Sequence, residues 1–332
     1  MPRVKASPMF SVIIPTYNRA TFVTKAVDSI LRQSFKDYEI IVVDDGSTDT
    51  TSQQLDRYGK KITRIYQANS GVGAARNAGI RKANGTWIAF LDSDDEWKEK
   101  YLARQLEQIS SNPTIVACIS NAVNIDPDGE SHTHFENVIL KRFDADTFVR
   151  IKRPFRTVMH SHWFLQSMII RRDVLLAAGL FDPDLTIAED RDVIARVALE
   201  GEFSFNKEVL VRIFRRTEPI RNLASARGSM HARKCFEKVF ENLRRDRRLT
   251  FLERLTLARV SSANQRELGN LLLTRGGAHQ ARAAYKKALM AYPSLKSAIK
   301  YVVCLLPWRF ALTFVRWGRW RRQRCQFQDA AR

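Results

Sequence analysis

Four times within the first hundred residues, an apolar run breaks off into a polar cluster, and this constrains the chain more than any other feature. The first run, "MFSVIIPTYN" at 9–18, is short and β-branched, which predicts a buried strand that stops at Pro15 with a loop beyond it. "TFVTKAVDSILRQ" then sets Phe22, Val23, Ala26, Val27, Ile30 and Leu31 at helical spacing. A second buried strand spans Ile40 to Val43 and runs into "DDGSTD"; "KITRIYQ" predicts a third, and "TWIAFLDSDD" a fourth ending in carboxylates. Between the last two, "GVGAARNAGIRKA" reads as a loop entering a helix. Strand and helix alternating in this way imply parallel strands joined by right-handed crossovers. In open sheets of this kind ligands sit beyond the carboxyl ends of the strands. Thr16–Asn18, Asp44–Asp45 and Asp92–Asp95 occupy those ends, so they are expected to converge on one cleft.

Past residue 100 the pattern loosens. "TIVACISNAVNI" predicts a strand, and "SHWFLQSMIIRRDVLLAAG" a strand followed by a helix stopped at Gly179. From about 225 onward the sequence is helical in character. Charge divides the chain at the same place. Residues 1–220 hold 30 Lys and Arg against 29 Asp and Glu, whereas 221–332 hold 25 against 6, so nearly all of the net charge of +20 lies in the tail. The expected organisation is an α/β domain over 9–220 followed by a basic α-helical region over 221–332. Such a tail is drawn to a polyanion. Cys118, Cys235, Cys304 and Cys325 form no CxxC pair, which argues against a zinc site or a disulfide framework and fits a reducing compartment. The N-terminus lacks an apolar core of signal-peptide length, and no uncharged apolar stretch reaches the roughly 18 residues of a membrane span. The expected location is therefore cytoplasmic.

The carboxylates of "FLDSDDEW" carry the chemistry. In an extended segment residues i and i+2 point the same way, so Asp92 and Asp94 could reach one cation. Their hard oxygens suit Mg²⁺ or Mn²⁺, ions that bind one or two carboxylates together with substrate phosphates.

"PTYNR" at 15–19, "VVDDGSTDTT" at 42–51, "NSGVGAARNAGI" at 69–80 and "FLDSDDEW" at 90–97 occur in this order and spacing. Together they resemble the inverting glycosyltransferases of family 2, over roughly residues 9–220. The resemblance implies the GT-A fold, a Rossmann-like mixed sheet flanked by helices, and transfer of a sugar from a nucleotide diphosphate, UDP above all, to a hydroxyl of a glycan or lipid-linked acceptor. It implies that Pro15, Thr16 and Tyr17 line the base pocket and that Asp45 accepts a base N–H. It further implies that Arg76 faces the nucleotide or diphosphate, that Asp92 contacts ribose or metal, and that Asp94 is the main ligand of Mg²⁺ or Mn²⁺. The family places its general base in an acidic pair after a "GxFD" segment. Here that segment reads "AGLFDPDLTIAEDRD", so Asp190 is the candidate base, with Glu189 beside it to raise one pKa by repulsion. Asp192 is expected to be a first-turn carboxylate favoured by the helix dipole. His160, His162 and Trp163 are expected to line the pocket or touch acceptor in preference to binding metal. Arg212, Arg215 and Arg216 lie where such enzymes carry a mobile stretch near the diphosphate, though as solvated charges they need no such role. Gly71 and Gly73 are expected to serve turn geometry.

Within the tail, Gly269, Ala281, Tyr285, Ala288 and Pro293, with Leu268 and Leu272, fall at the spacing of one tetratricopeptide repeat, a pair of antiparallel helices. "YVVCLLPWRFALTFVRWGRWRRQRC" mixes apolar and aromatic residues with Arg319, Arg321, Arg322 and Arg324. That mixture suits a segment lying on an anionic membrane surface, or one buried against the tetratricopeptide-like helices; the resemblance to enzymes that use lipid-linked acceptors favours the first and implies a chain peripheral on the inner face of the plasma membrane. A nucleic-acid-binding protein with a Rossmann-like core is the alternative that charge allows. No nucleic-acid partner is expected, because the carboxylate cluster lies in the neutral front and the tail has no recognisable binding module.

Overall fold

The computed structural model of the chain describes residues 7–127, 129–133, 148–215, 229–306 and 313. The chain divides into two compact units, Met1–Ile220 and Arg221–Arg332.

In the first unit the expected alternation builds one side of a sheet. β1 (Phe10–Thr16), β2 (Tyr38–Asp44), β3 (Thr63–Tyr66) and β4 (Trp87–Phe90) run parallel, with β1 central, β2 and β4 on its two sides and β3 beyond β2. Helices α1 (Ala20–Leu31), α2 (Thr51–Asp56) and α3 (Val72–Lys82) connect them. β1 does not stop at Pro15 but runs through it to Thr16. β4 pairs with β1 only as far as Ile13 opposite Phe90, so Pro15 has a strand on one side alone, opposite Val43. A residue without an N–H is tolerated there because no ladder bond is asked of its other edge.

The sheet then changes direction. β9 (Met168–Arg171) inserts antiparallel between β4 and β6 (Ile115–Asp126), and β10 (Glu202–Phe214) runs parallel to β6. The two-residue β5 (Glu96–Trp97), immediately after the "DSDD" segment, pairs antiparallel with β10. Short strands β7 (Gly129–Thr133) and β8 (Val149–Ile151) lie against β6 and β10. The remaining helices are α4 (Tyr101–Ser110), α5 (Phe155–His160), α6 (Arg172–Ala177) and α7 (Glu189–Val197). Gly179, at φ +92°, ends α6 as the sequence predicts, and its N–H donates to the Leu176 carbonyl. The core joins the inner faces of β1, β2, β4 and β10 to α1 and α4, with Trp97 stacked on Tyr101 at 4.1 Å.

In the second unit α8 (Met230–Arg244), α9 (Phe251–Thr274), α10 (Ala278–Ala291) and α11 (Leu295–Val303) follow one another. Thr250 and Glu253 close a capping box at the start of α9. α10 runs back along α9, with the Tyr285 hydroxyl donating to buried Asn270 at 2.8 Å and Gly269 facing the Tyr285 ring. Cys118, Cys235 and Cys304 are buried free thiols; Cys325, Arg319, Arg321, Arg322 and Arg324 lie outside the described residues.

α3 carries site residues at a height set by Gly79, where an added Cβ would come within 2.5 Å of Ile13 on β1. Gly79→Ala should therefore lift the helix from the sheet and cost about 1–3 kcal/mol, the usual range for overpacking. Urea denaturation tests this, and an unchanged midpoint would contradict the close packing.

Candidate active site

The carboxyl ends of β1, β2 and β4 do meet. Asn18, at φ +51°, accepts the Thr48 N–H through its side chain at 2.8 Å and donates its own N–H to Ser47, tying the loop after β1 to the loop after β2. Arg19 Nε stands 3.9 Å from Asp94 Oδ2, which joins the same loop to the one after β4. Thr16 is buried with its hydroxyl unpartnered, Pro15 is buried within β1, and Tyr17 is exposed. Of the three expected base-pocket residues, then, Tyr17 alone presents an open surface.

Asp45 is buried and turned onto the loop that enters α3. One carboxylate oxygen accepts from Gln67 Nε2 (2.7 Å) and the Ser70 N–H (2.9 Å), and the other from the Gly71 N–H (2.8 Å). Those amides lie at the positive end of α3, where a carboxylate is favoured. A carboxylate has about four lone-pair sites, so three contacts leave room for one more donor. Gly71 has φ +89° and open space at its Cβ position, which makes it a turn glycine. Gly73 faces Phe181 at ordinary contact distance.

Asp92 to Asp95 is a turn, not the extended segment that alternation assumed: the Asp95 N–H donates to the Asp92 carbonyl at 3.0 Å. The strand has already ended at Phe90, so i, i+2 alternation no longer governs these side chains. Asp92 and Asp94 keep partly exposed carboxylates, whereas Asp95 is buried. Asp95 accepts the Phe214 N–H at the end of β10 (2.9 Å) and Gln166 Nε2 (2.7 Å). Burial, and then the charges of Asp94 and Asp92, hold its pKa well above the ordinary value. Its place in the cluster gave no sign of this structural role.

Arg76 is where the structure adds most. It does not open toward solvent; it is 5% exposed, with Nη2 donating to Asp92 and Nη1 to Glu189, both at 2.9 Å. Its guanidinium lies over the Phe181 ring, 5.4 Å from the centroid, and Phe181 meets Phe90 edge-on at 5.5 Å. The neighbouring Asn77 holds Phe181 by both backbone polar groups, at 2.9 and 3.0 Å. Burial pulls the Arg76 pKa down, but the charges of Asp92 and Glu189 outweigh it and the net shift is upward. Glu189 is pushed up to about 7, by burial first and Asp190 second, against the opposing pull of Arg76.

Asp190 is the more accessible of the acidic pair. It accepts the Arg191 N–H at 2.7 Å and lines a small pocket with Val158, Ser161, His162, Trp163, Arg191 and Ile194. His162 and Trp163 thus share a pocket with Asp190, while His160 is exposed at the end of α5. Asp192 is buried and paired with Arg196 at 2.6 Å; Arg196 also donates to the Ala178 and Leu180 carbonyls, so this first-turn carboxylate anchors the end of α6. Arg212 is exposed on β10, Arg215 donates to Asn124 at 2.9 Å, and Arg216 lies outside the described residues. Among the described residues no group of three or more His, Cys, Asp or Glu side chains could hold a metal. Any cation at Asp92 and Asp94 would have to complete its shell with water and ligand oxygens, which fits Mg²⁺ or Mn²⁺ and not a closed protein cage.

A parallel sheet extended by antiparallel strands, with an acidic turn at its carboxyl edge, defines the GT-A architecture. S. aureus TarS 1–349 in complex with UDP-GlcNAc shares it, with TM-score 0.64 and 20% identity over 92% of this chain and 87% of that one. So does the mannosyltransferase PcManGT of Pyrobaculum calidifontis in complex with GDP-Man and Mn²⁺, with TM-score 0.55 and 20% identity over 93% and 84%. The family model described as Glycosyl transferase family 2 matches residues 11–173, and the chain carries a domain of that family. The uncharacterized glycosyltransferase EpsJ of Bacillus subtilis is 32% identical over 193 residues, 55% of this chain; the chain spans about half of that relative's length, 54%.

The raised Glu189 pKa carries a sign. Folding tightens its hold on a proton, so its contribution to stability is full below the ordinary value of 4.5 and is lost as pH rises through about 7. Stability measured by urea denaturation should therefore fall across that window in the native chain, and Glu189→Gln should flatten the fall. An identical pH slope in the variant would contradict the assignment.

Proposed function

We propose that the chain is an inverting glycosyltransferase that moves a sugar from a nucleotide diphosphate, preferentially a UDP-sugar, to a hydroxyl of a glycan or lipid-linked acceptor. The observation that carries this reading is the bridge through Arg76, which sets the acidic turn at Asp92 one guanidinium away from the acidic pair at 189–190. A donor and an acceptor held at those two places would react in line. The fold shared with structures holding UDP-GlcNAc and GDP-Man supports the donor class.

Tyr17 and the loop at 45–47 receive the base, and the spare lone pair of Asp45 accepts its N–H. Asp92 and Asp94 would hold Mg²⁺ or Mn²⁺, which offsets the negative charge on a departing diphosphate when bound. Asp190 accepts the acceptor hydroxyl proton as that oxygen bonds to the anomeric carbon from the opposite face. The bond from that carbon to the diphosphate breaks, and its electron pair leaves with the phosphate oxygen. Glu189 is poorly placed for this step because Arg76 and burial occupy it, whereas Asp190 opens on the pocket with His162 and Trp163. Working on a lipid-linked acceptor, the basic 221–332 unit is drawn to an anionic membrane surface.

A panel of nucleotide sugars with Mn²⁺ or Mg²⁺, read by release of free nucleotide, tests the reading; no turnover or binding with any donor would overturn it. Asp94→Ala should weaken metal-dependent donor binding beyond the roughly 10–100-fold typical of a residue behind a ligand. Asp190→Asn should spare donor binding and lower kcat by about 10²–10⁴-fold. Normal transfer by Asp190→Asn would remove Asp190 as the base.

A further inference from the structure

α11 packs one side inward and leaves a second, aliphatic stripe in solvent. An ordinary surface helix buries its aliphatic stripe and shows its polar face. Here the buried positions are Ser297 at 0% and, just past the helix, Cys304 at 2% exposure. Leu295 (76%), Ile299 (40%), Val302 (59%) and Leu306 (50%) stand in solvent at helical spacing, with Leu305 (54%) beside them. The inward side packs Tyr301, Val303 and Cys304 against Leu273, Ala281 and Tyr285, and polar contacts fix its rotation: the Ser297 hydroxyl lies 3.3 Å from that of Ser262 and accepts from Arg266 at 3.1 Å, while Arg282 donates to the Cys304 carbonyl. The helix is thus fixed with its apolar side outward. A contiguous exposed aliphatic face of this kind marks a contact surface.

Charge selects the occupant. Residues 221–332 carry 25 basic against 6 acidic side chains, so a second copy would bring like charge against like. A nucleic acid would answer the charge but offers nothing to five aliphatic side chains. An anionic bilayer answers both, because acyl chains receive the aliphatic face while headgroups meet the cations. The sequence beyond 306 continues the same mixture, with Trp308, Phe310, Phe314, Trp317 and Trp320 among Arg309, Arg316, Arg319, Arg321 and Arg322. We infer that the Leu295–Leu306 face inserts into the headgroup layer of an anionic lipid membrane. This rests on the membrane-surface part of the proposed function and not on the identity of donor or base.

Flotation of the full chain with phosphatidylglycerol-containing vesicles, against pure phosphatidylcholine, tests it. The native chain should bind the anionic vesicles preferentially, and Ile299→Glu with Val302→Glu should weaken that binding at least about tenfold. Because both positions are exposed, the variant should melt like the native chain and bind donor nucleotide unchanged. Undiminished vesicle binding by a folded double variant would overturn the assignment of this face and leave the basic tail as the sole attraction. A native chain that ignores vesicles but forms a dimer that the double variant dissociates would overturn it in favour of a second copy. Failure of sugar transfer with vesicle binding intact would count against the catalytic reading alone.

Discussion

One buried guanidinium holds the parts of the candidate site in the first unit in register. Arg76 sits on α3, reaches Asp92 after β4 and Glu189 at the start of α7, and rests on Phe181. A buried cation is tolerable only when its donors are met by acceptors, because desolvation must be offset by pairing. Asp92 and Glu189 meet its two terminal nitrogens while Nε is left without a hydrogen-bond acceptor, and removing one partner from such a cluster costs roughly 3–5 kcal/mol. The same arrangement suits the proposed chemistry. It fixes the acidic turn relative to the acidic pair without spending Asp94 or Asp190, whose carboxylates keep solvent access.

The support behind this bridge is equally specific. Gly79 lets α3 lie close on β1, Asn77 clasps Phe181 by its backbone, and Asp45 receives the amides that open α3. On the far side, Asp95 joins the turn to the end of β10 and to Gln166. The acidic appearance of the site, with five aspartates at the strand ends, therefore conceals a division of labour. Asp44 and Asp45 shape loops, Asp95 fastens the turn, Asp92 joins it to Arg76, and Asp94 lies beside Arg19 with its carboxylate partly exposed.

Much of this was legible in the sequence, and the reasons for the rest are physical. Apolar runs ending in polar clusters placed β1, β2 and β4 and the convergence of their ends, because buried parallel strands have a strong periodic signature. The antiparallel insertion of β9 and the two-residue β5 left no such signature, since their pairing is decided by residues distant in sequence. Pro15 misplaced the end of β1 because local rules cannot know that β4 has already turned away. Strand alternation does not reach Asp92 and Asp94 because β4 ends at Phe90, two residues before the first carboxylate and four before the second. Arg76 was found by its place in "AARN" but not its burial, which depends on Glu189, 113 residues away. In the second unit, composition located the basic charge, whereas the outward aliphatic face of α11 emerged only from its packing.

A double-mutant cycle between Asp92 and Glu189 probes the central claim most directly, because the two carboxylates are joined through Arg76. With Asp92→Asn and Glu189→Gln measured by urea denaturation at pH 8, where Glu189 is ionised, the predicted coupling is roughly 0.5–3 kcal/mol. It should vanish when the cycle is repeated in an Arg76→Met background. Strictly additive effects with Arg76 present would contradict the account.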